Sequence, residues 1–197
     1  TKTWKRGVNR FADVTREEFK SSLGYNKALA RHVAAKAGAE VQSTPPPSIE
    51  ELPESWDWRE RNVVTSVKDQ GHCGSCWAFA TTETVESHVA IATGTLETLS
   101  AQQLVSCAPN PLECGGTGGC YGSIPEVGFS YLQLYGMTTE WMYSYQSYHG
   151  VTPSCAFNIS TTPSVVQISG YRVLPSNSYE WVMHALAKVG PLAIAVQ

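Results

Sequence analysis

The stretch "DQGHCGSCWAFA", residues 69 to 80, places Cys73 and Cys76 three positions apart, just before a run of apolar residues. Ser75 is a residue type that caps helices, and Gly94 is placed to end one. Between them the apolar positions recur with helical spacing, so the stretch predicts a helix with Cys76 in its first turn. The positions that follow this spacing are Ala78, Thr82, Val85, Val89 and Ala92.

The predicted helix gives the two cysteines different roles. The unsatisfied amides and the macrodipole of a first helical turn favour negative charge, which raises the thiolate fraction of Cys76. Cys73 lies outside that turn and gains little from it. This pattern favours Cys76 as a nucleophile and leaves Cys73 available for a disulfide that fixes the loop.

The spacing of the cysteine pair is also compatible with other kinds of site. A zinc site needs a second close ligand pair, and the next cysteines, Cys107, Cys114 and Cys120, supply no second CxxC and no paired histidines. A thioredoxin-like redox pair lacks a surrounding βαβ pattern. Two purely structural cysteines in a secreted domain remain an alternative from spacing alone.

Composition excludes several function classes. The chain has 197 residues, 42% of them hydrophobic, and a formal net charge of -3 with scattered Lys and Arg residues. Nucleic-acid binding is therefore not expected, and no window approaches the roughly 18 apolar residues of a membrane-spanning helix. Six cysteines and the glycosylation-type triplet at Asn158 favour an oxidising compartment.

The chain divides at a proline-rich stretch. Residues 1 to 41 predict helix with turns, and "QSTPPPSIEELPES", residues 42 to 55, breaks any helix because proline lacks an amide donor. Exposed linkers of this kind are preferred sites of proteolysis. We therefore predict a leader over 1–50, processed away from a domain over 51–197.

Later segments complete an α+β pattern. "SAQQLVS" (100–106) and Pro125 to Leu134 predict helices, the second beginning with proline at its first turn. "VVQISGYRVLP" (165–175) and "PLAIAVQ" (191–197) predict strands, separated by a helix in "SYEWVMHALAKVG" (178–190). The order is helix-rich first and strand-rich later, with the second part cut short.

Several segments together resemble the papain-like cysteine proteases, and most closely their cathepsin L-like branch. "QGHCGSCWAF" matches the family's C-G-[SA]-C-[WY] nucleophile motif. "LPESWDWRERNVVTSVKDQG" is similar to the family's mature N-terminus, "LSAQQLVSC" to the segment after its central helix, and "VGPLAIAV" to the start of its second domain. Gly7, Asn9, Phe11 and Asp13 fit the propeptide pattern GxNxFxD.

The resemblance implies a fold and a reaction. It implies a two-domain fold with a nearly complete helical first domain, a truncated β-rich second domain and a partial propeptide. Cys76 would be the thiolate that attacks a peptide carbonyl to form an acyl-enzyme. Gln70 would donate its side-chain amide to the oxyanion, together with the backbone amide of Cys76. Gly74, Ser75 and Trp77 would flank the bound substrate.

The resemblance also implies substrate contacts. The backbone of Gly122 and Ser123 would pair with an extended substrate, where the family usually has CNGG and this chain has "CYGS". Tyr121 and Ser123 therefore affect the expected width of the cleft. Ile124, Pro125 and Ala195 would line the pocket for the substrate residue two before the scissile bond, which favours an apolar side chain there.

Five cysteines have an implied role. The family pattern pairs Cys73 with Cys120 and Cys107 with Cys155, which leaves Cys76 free. Cys114 is left over, either unpaired or bonded to a cysteine beyond residue 197.

The catalytic base is the missing part. The family's histidine and asparagine lie about 130 to 150 residues after the cysteine, and only 121 residues follow Cys76. None of the five histidines has the family's surrounding pattern; they are His32, His72, His88, His149 and His184. We therefore expect a fragment, truncated at both ends and inactive by itself.

The remaining expectations complete the hypothesis. We expect that the protein uses no cofactor and no metal. Its substrates are expected to be peptides or proteins, and the leader is expected to be its inhibitor. We further expect a monomer in a lysosomal, vacuolar or secreted location. The alternative is an inactive homologue that acts as a binding protein. The intact Cys76 and Gln70 favour the enzyme.

Overall fold

The computed structural model of the chain describes residues 5, 7–8, 12–21, 25–43, 45–46, 48–158 and 160–196. The predicted Asn9 and Phe11 of the leader motif lie outside these residues. Within them the α-helices are α1 (Arg16–Ser21), α2 (Lys27–Lys36), α3 (Cys76–Thr93), α4 (Ala101–Cys107), α5 (Pro125–Tyr135) and α6 (Tyr179–Lys188). Two short strands are β1 (Glu40–Val41) and β2 (Arg172–Val173), and a 3-10 helix covers Trp58–Arg61.

The core is built around α3, which packs against α4 and α5. The prediction that this helix begins at Cys76 and ends at Gly94 is confirmed, and Gly94 has the left-handed φ of 77° that ends helices. Ala92 was predicted wrongly as part of its apolar face, because residues 91–95 extend past the core and are exposed. The buried apolar side chains include Trp77, Ala78, Val85, Leu99, Leu104, Leu132 and Met137.

A buried carboxylate ties α3 to the segment that precedes Cys76. Glu86, 1% exposed, accepts hydrogen bonds from the Leu99 amide at 2.8 Å and from Lys68 Nζ at 2.9 Å. Thr65 Oγ1 donates to the same carboxylate. Because a buried charge is costly unless paired and hydrogen-bonded, this network holds residues 65–68 in one position against the helix.

The predicted leader contacts the rest of the chain through α2 and β1. Ala30 and Ala34 are buried on α2, which packs against α5. The small alanines let the two helices approach closely. Downstream, β1 pairs in parallel with β2, and Arg172 Nε lies 2.9 Å from Glu40 Oε2.

The C-terminal segment departs from the predicted strands. Of residues 165–175 only Arg172–Val173 form a strand, with one bridge between Val166 and Met137, and the described part of 191–197 contains none. A strand forms only where a neighbouring strand satisfies its backbone groups. The described residues offer that neighbour only in short pieces.

The predicted helices are confirmed. α4 and α6 lie in the predicted segments, and α5 begins with Pro125 and ends one residue later than predicted, at Tyr135. The 3-10 helix and α6 are joined by Trp58 Nε1, which donates to Leu186 O at 2.7 Å. No helix in the described part of the chain is long and apolar enough to cross a membrane.

Candidate active site

Cys76 is an exposed free thiol at the first residue of α3. The Ser75 carbonyl accepts from the amides of Ala78 and Phe79. The backbone amides of Cys76 and Trp77 have no hydrogen-bond partner among the described residues. These amides and the helix dipole therefore favour negative charge beside the thiol.

The Ser75 side chain does not cap the helix, so this prediction was wrong. Its hydroxyl lies 2.7 Å from the hydroxyl of Tyr145 instead. Because the Ser75 hydroxyl bonds to Tyr145, it makes no hydrogen bond to the first amides of α3, which stay open.

Gln70 and Cys76 line one cleft of about 360 Å3. The half-buried Gln70 donates from Nε2 to the Cys73 carbonyl at 2.7 Å. An amide NH2 carries two hydrogens, so one N–H remains for a second acceptor. The other residues of this cleft are Val64, Thr65, Ser66, Val67, Lys68, Phe79, Ala80 and Glu83.

Tyr145 is the residue that sequence reasoning missed. Its hydroxyl donates to Gln70 O at 3.0 Å and contacts Ser75 Oγ, so it holds the loop that leads into Cys76 at two points. Its ring packs edge-on against Phe79 at 4.9 Å between centroids. Burial raises the pKa of Tyr145. No pattern in the sequence relates it to Ser75, since 70 positions separate them.

A disulfide fixes the loop before Cys76. Cys73 is joined to Cys120, the pairing that the resemblance implies. The Gly74 amide donates to Cys120 O at 2.8 Å, and Trp77 Nε1 donates to Gly119 O at 3.1 Å. A Cβ at Gly74 would lie 2.6 Å from Cys120 O, so the approach requires glycine. Trp77 itself is buried and belongs to the core around α3.

The "CYGS" segment continues from this disulfide. Gly122 has a φ of 94° and its carbonyl accepts from the Gly118 amide at 2.8 Å. Ser123 Oγ is buried without a hydrogen-bond partner in the described structure. Tyr121 is 74% exposed, so its side chain lies on the surface rather than in the core.

The residues predicted for the apolar pocket lie apart from the Cys76 cleft. Ile124 is 1% exposed and packs with Ala30, Cys114 and Val127, under the leader helix α2. The Pro125 carbonyl accepts from Thr81 Oγ1 at 3.3 Å. Ala195 is exposed on the C-terminal segment. Their role in substrate binding stays a prediction.

The other cysteines follow the implied pattern. Cys107 is joined to Cys155, and Cys114 is a buried free thiol whose pKa burial raises. No histidine among the described residues lines the Cys76 cleft. His88 is engaged elsewhere, with Nε2 3.0 Å from Pro191 O. In the described ranges no group of three His, Cys, Asp or Glu side chains is arranged to hold a metal ion.

Comparison with known proteins supports the same family. The model of the papain family cysteine proteases matches residues 52–197. Cathepsin L of Sarcophaga peregrina is 36% identical over 196 residues, covering 98% of this chain and 55% of that protein. The oryzain beta chain of Oryza sativa subsp. japonica is 37% identical over 195 residues, covering 98% of this chain and 39% of that protein.

Solved structures of the same family are similar to this chain. Procathepsin L2 from the Tenebrio molitor larval midgut matches with a TM-score of 0.73 and 30% identity, covering 93% of this chain and 56% of that one. Procathepsin L 3 from the same tissue has a TM-score of 0.68 and 34% identity, covering 95% and 55%. The chain spans about half the length of the curated relatives it matches. The predicted papain-like α+β fold is confirmed, and the chain belongs to the papain family of cysteine proteases.

Proposed function

We propose that this chain is the nucleophile-bearing part of a cathepsin L-like cysteine endopeptidase that is made as a zymogen. The observation that carries the proposal is the exposed free thiol of Cys76 at the first residue of α3, in one cleft with Gln70. The intact nucleophile and its oxyanion partner favour the enzyme over a binding protein without activity.

The reaction follows from these groups. The Cys76 thiolate attacks a peptide carbonyl, a C–S bond forms, and the leaving amine takes a proton from the general acid as the C–N bond breaks. Water then hydrolyses the acyl-enzyme and regenerates the thiol. The Cys76 backbone amide and the second N–H of Gln70 are the proposed donors that stabilise the oxyanion in both steps.

The base is expected elsewhere in the protein. No described histidine lines the Cys76 cleft, and thiolate formation in this family depends on a histidine oriented by an asparagine. We propose that both residues lie beyond Gln197. The chain by itself is then expected to be inactive.

The leader over 1–50 is proposed as the inhibitor of the domain over 51–197. Its helix α2 covers Ile124, and Tyr25 donates its hydroxyl to Glu126 Oε1 at 2.9 Å. Burial and the neighbouring Glu126 carboxylate raise the pKa of Tyr25. These contacts keep the leader docked until the proline-rich linker is cut.

Substrate contacts and location complete the proposal. The backbone of Gly122 and Ser123 pairs with an extended peptide, and Ile124, Pro125 and Ala195 form an apolar pocket once the leader is released. Gly74 and Ser75 of the loop before Cys76, together with Trp77 of α3, support the substrate. We propose a monomer in a lysosomal, vacuolar or secreted location, which the two disulfides support.

The test is hydrolysis of a fluorogenic peptide by the full-length protein after linker cleavage. We expect activity that Cys76→Ala lowers by at least about a thousandfold, because nucleophile and base act as a unit. Cys114→Ala is the matched control, since it removes the other free thiol, and it should retain activity. Peptide binding without hydrolysis in the wild type would contradict the proposal and favour the binding protein.

A further inference from the structure

Asn158 stands out among the asparagines of the chain. It begins the triplet Asn158-Ile159-Ser160, which is the only Asn-X-Ser/Thr triplet in the sequence, and residue 159 is not proline. It lies on the surface, three positions after Cys155, which the second disulfide anchors to α4. A surface loop with this triplet is the acceptor context for an N-linked glycan.

The local geometry leaves the reactive nitrogen free. Asn158 Oδ1 accepts a hydrogen bond from the Ser160 amide at 2.9 Å, and the Asn158 carbonyl accepts from the Thr162 amide at 2.7 Å. Both oxygens are therefore engaged in the turn. Asn158 Nδ2 makes no hydrogen bond to any described residue. The turn thus fixes the side chain while leaving the amide nitrogen available.

Asn110 gives the opposite arrangement. It is half-buried, and its Nδ2 donates to Cys114 O at 3.1 Å and to Gly116 O at 2.7 Å. That nitrogen is consumed in holding the glycine-rich loop, and proline follows it in the sequence. The contrast indicates that only Asn158 combines the triplet, exposure and a free amide nitrogen.

We propose that Asn158 carries an N-linked oligosaccharide. In the transfer, Asn158 Nδ2 forms a bond to the anomeric carbon of a lipid-pyrophosphate-linked oligosaccharide. The bond from that carbon to the phosphate oxygen breaks, the lipid pyrophosphate leaves with the electron pair, and Nδ2 loses one proton to a base of the transferase. No oxidation or reduction occurs.

The disulfides provide independent support for the required compartment. Cys73–Cys120 and Cys107–Cys155 form in an oxidising environment such as the endoplasmic reticulum, where such donors and transferases act. Asn158 is not among the residues that line the Cys76 cleft. The glycan is therefore expected to leave access to that cleft unchanged, and the inference does not depend on the proposed peptidase activity.

The test is to direct the full chain into the endoplasmic reticulum of a eukaryotic cell with a removable signal sequence. The secreted protein is then treated with a peptide N-glycosidase and digested for mass spectrometry. We expect a mass loss of one glycan and conversion of Asn158 to aspartate in its peptide. Ser160→Thr should keep the glycan, because threonine also serves in the triplet.

Two variants separate the site from folding. Asn158→Gln and Ser160→Ala should each remove the glycan while both disulfides remain intact by mass, and Asn177→Gln is the matched control that should keep it. An unmodified Asn158 in secreted wild-type protein with both disulfides formed would overturn the proposal. So would a glycan that persists in Asn158→Gln.

Discussion

The starts of α2 and α3 are built in opposite ways. At α2, Asn26 Oδ1 accepts from the amides of Ala28 at 3.0 Å and Leu29 at 3.2 Å, so the first turn is closed by a side chain. At α3, Ser75 turns its hydroxyl to Tyr145 and caps nothing. The first turn of α2 is thus closed by a side chain, whereas α3 leaves its first amides open beside Cys76.

An open helix start has a cost that other contacts offset. A side-chain cap contributes about 1 kcal/mol. In its place, α3 is held by the Cys73–Cys120 disulfide, by Trp77 and by the buried Glu86 network. Because these anchors hold the first turn of α3 in place of a cap, its backbone amides stay available to bind a negative charge.

The largest effect is expected from breaking the Glu86 network. Glu86→Ala leaves the Lys68 ammonium without its buried partner, and we expect a loss of about 3 to 5 kcal/mol in the free energy of unfolding. Urea denaturation measures it. The matched control is the exposed Glu97→Ala, which should change stability by less than about 0.5 kcal/mol. Equal effects of the two changes would show that the network is not the anchor of α3.

The next largest effect concerns Gln70. Removing one oxyanion donor with Gln70→Ala should lower kcat of the processed full-length enzyme by about 100- to 1000-fold. Gln146→Ala, at an exposed glutamine, is the control and should keep kcat. Unchanged kcat in Gln70→Ala would assign the oxyanion to other donors.

Tyr145→Phe tests whether the Tyr145 hydroxyl positions the loop before the open helix start. The variant keeps the ring against Phe79 but loses the hydroxyl that holds Gln70 and Ser75. We expect kcat to fall about five- to tenfold, the effect of about one net hydrogen bond, with KM unchanged. Tyr179→Phe, at a tyrosine that is 61% exposed in α6, should have no such effect. A rise in KM alone would contradict a positioning role.

Features that depend on residues close together in the sequence could be predicted, and features that depend on distant residues could not. The start of α3, its end at Gly94 and the leading Pro125 of α5 are local patterns, and they were predicted. The Ser75 cap failed because its competitor Tyr145 is 70 residues away. Of the strands predicted in 165–175 and 191–197, only Arg172–Val173 forms among the described residues, because a strand depends on a distant partner. The disulfide pairs came from the resemblance, since spacing alone does not pair cysteines.

A smaller effect is expected at the capped start. Asn26→Ala should destabilise α2 by about 1 kcal/mol, because it exposes two amides, whereas Asn26→Ser should retain most of the cap. Hydrogen exchange of the α2 amides measures both. Identical exchange rates of the α2 amides in Asn26→Ala and the wild type would show that the Asn26 side chain does not stabilise the start of α2.

The smallest effect is a pH dependence at Glu140, which accepts from the Tyr145 amide at 2.7 Å. Burial raises the pKa of Glu140 above that of the unfolded chain. The folded state then binds the proton more tightly, so this contribution is present at low pH and is lost as pH rises through the raised value. Relative to Glu140→Gln, the wild type should lose stability on going from pH 4 to pH 7. A wild type that instead gains stability relative to Glu140→Gln between pH 4 and pH 7 would contradict this.

The most direct test of the central claim is the alkylation rate of Cys76 at pH 5 in the processed full-length protein, with glutathione as the reference thiol. We predict that iodoacetamide reacts with Cys76 at least about ten times faster than with glutathione, because an ordinary thiol is almost wholly protonated at that pH. Peptide mapping assigns the label. A Cys76 that reacts no faster than glutathione would contradict the assignment of this thiol as the nucleophile.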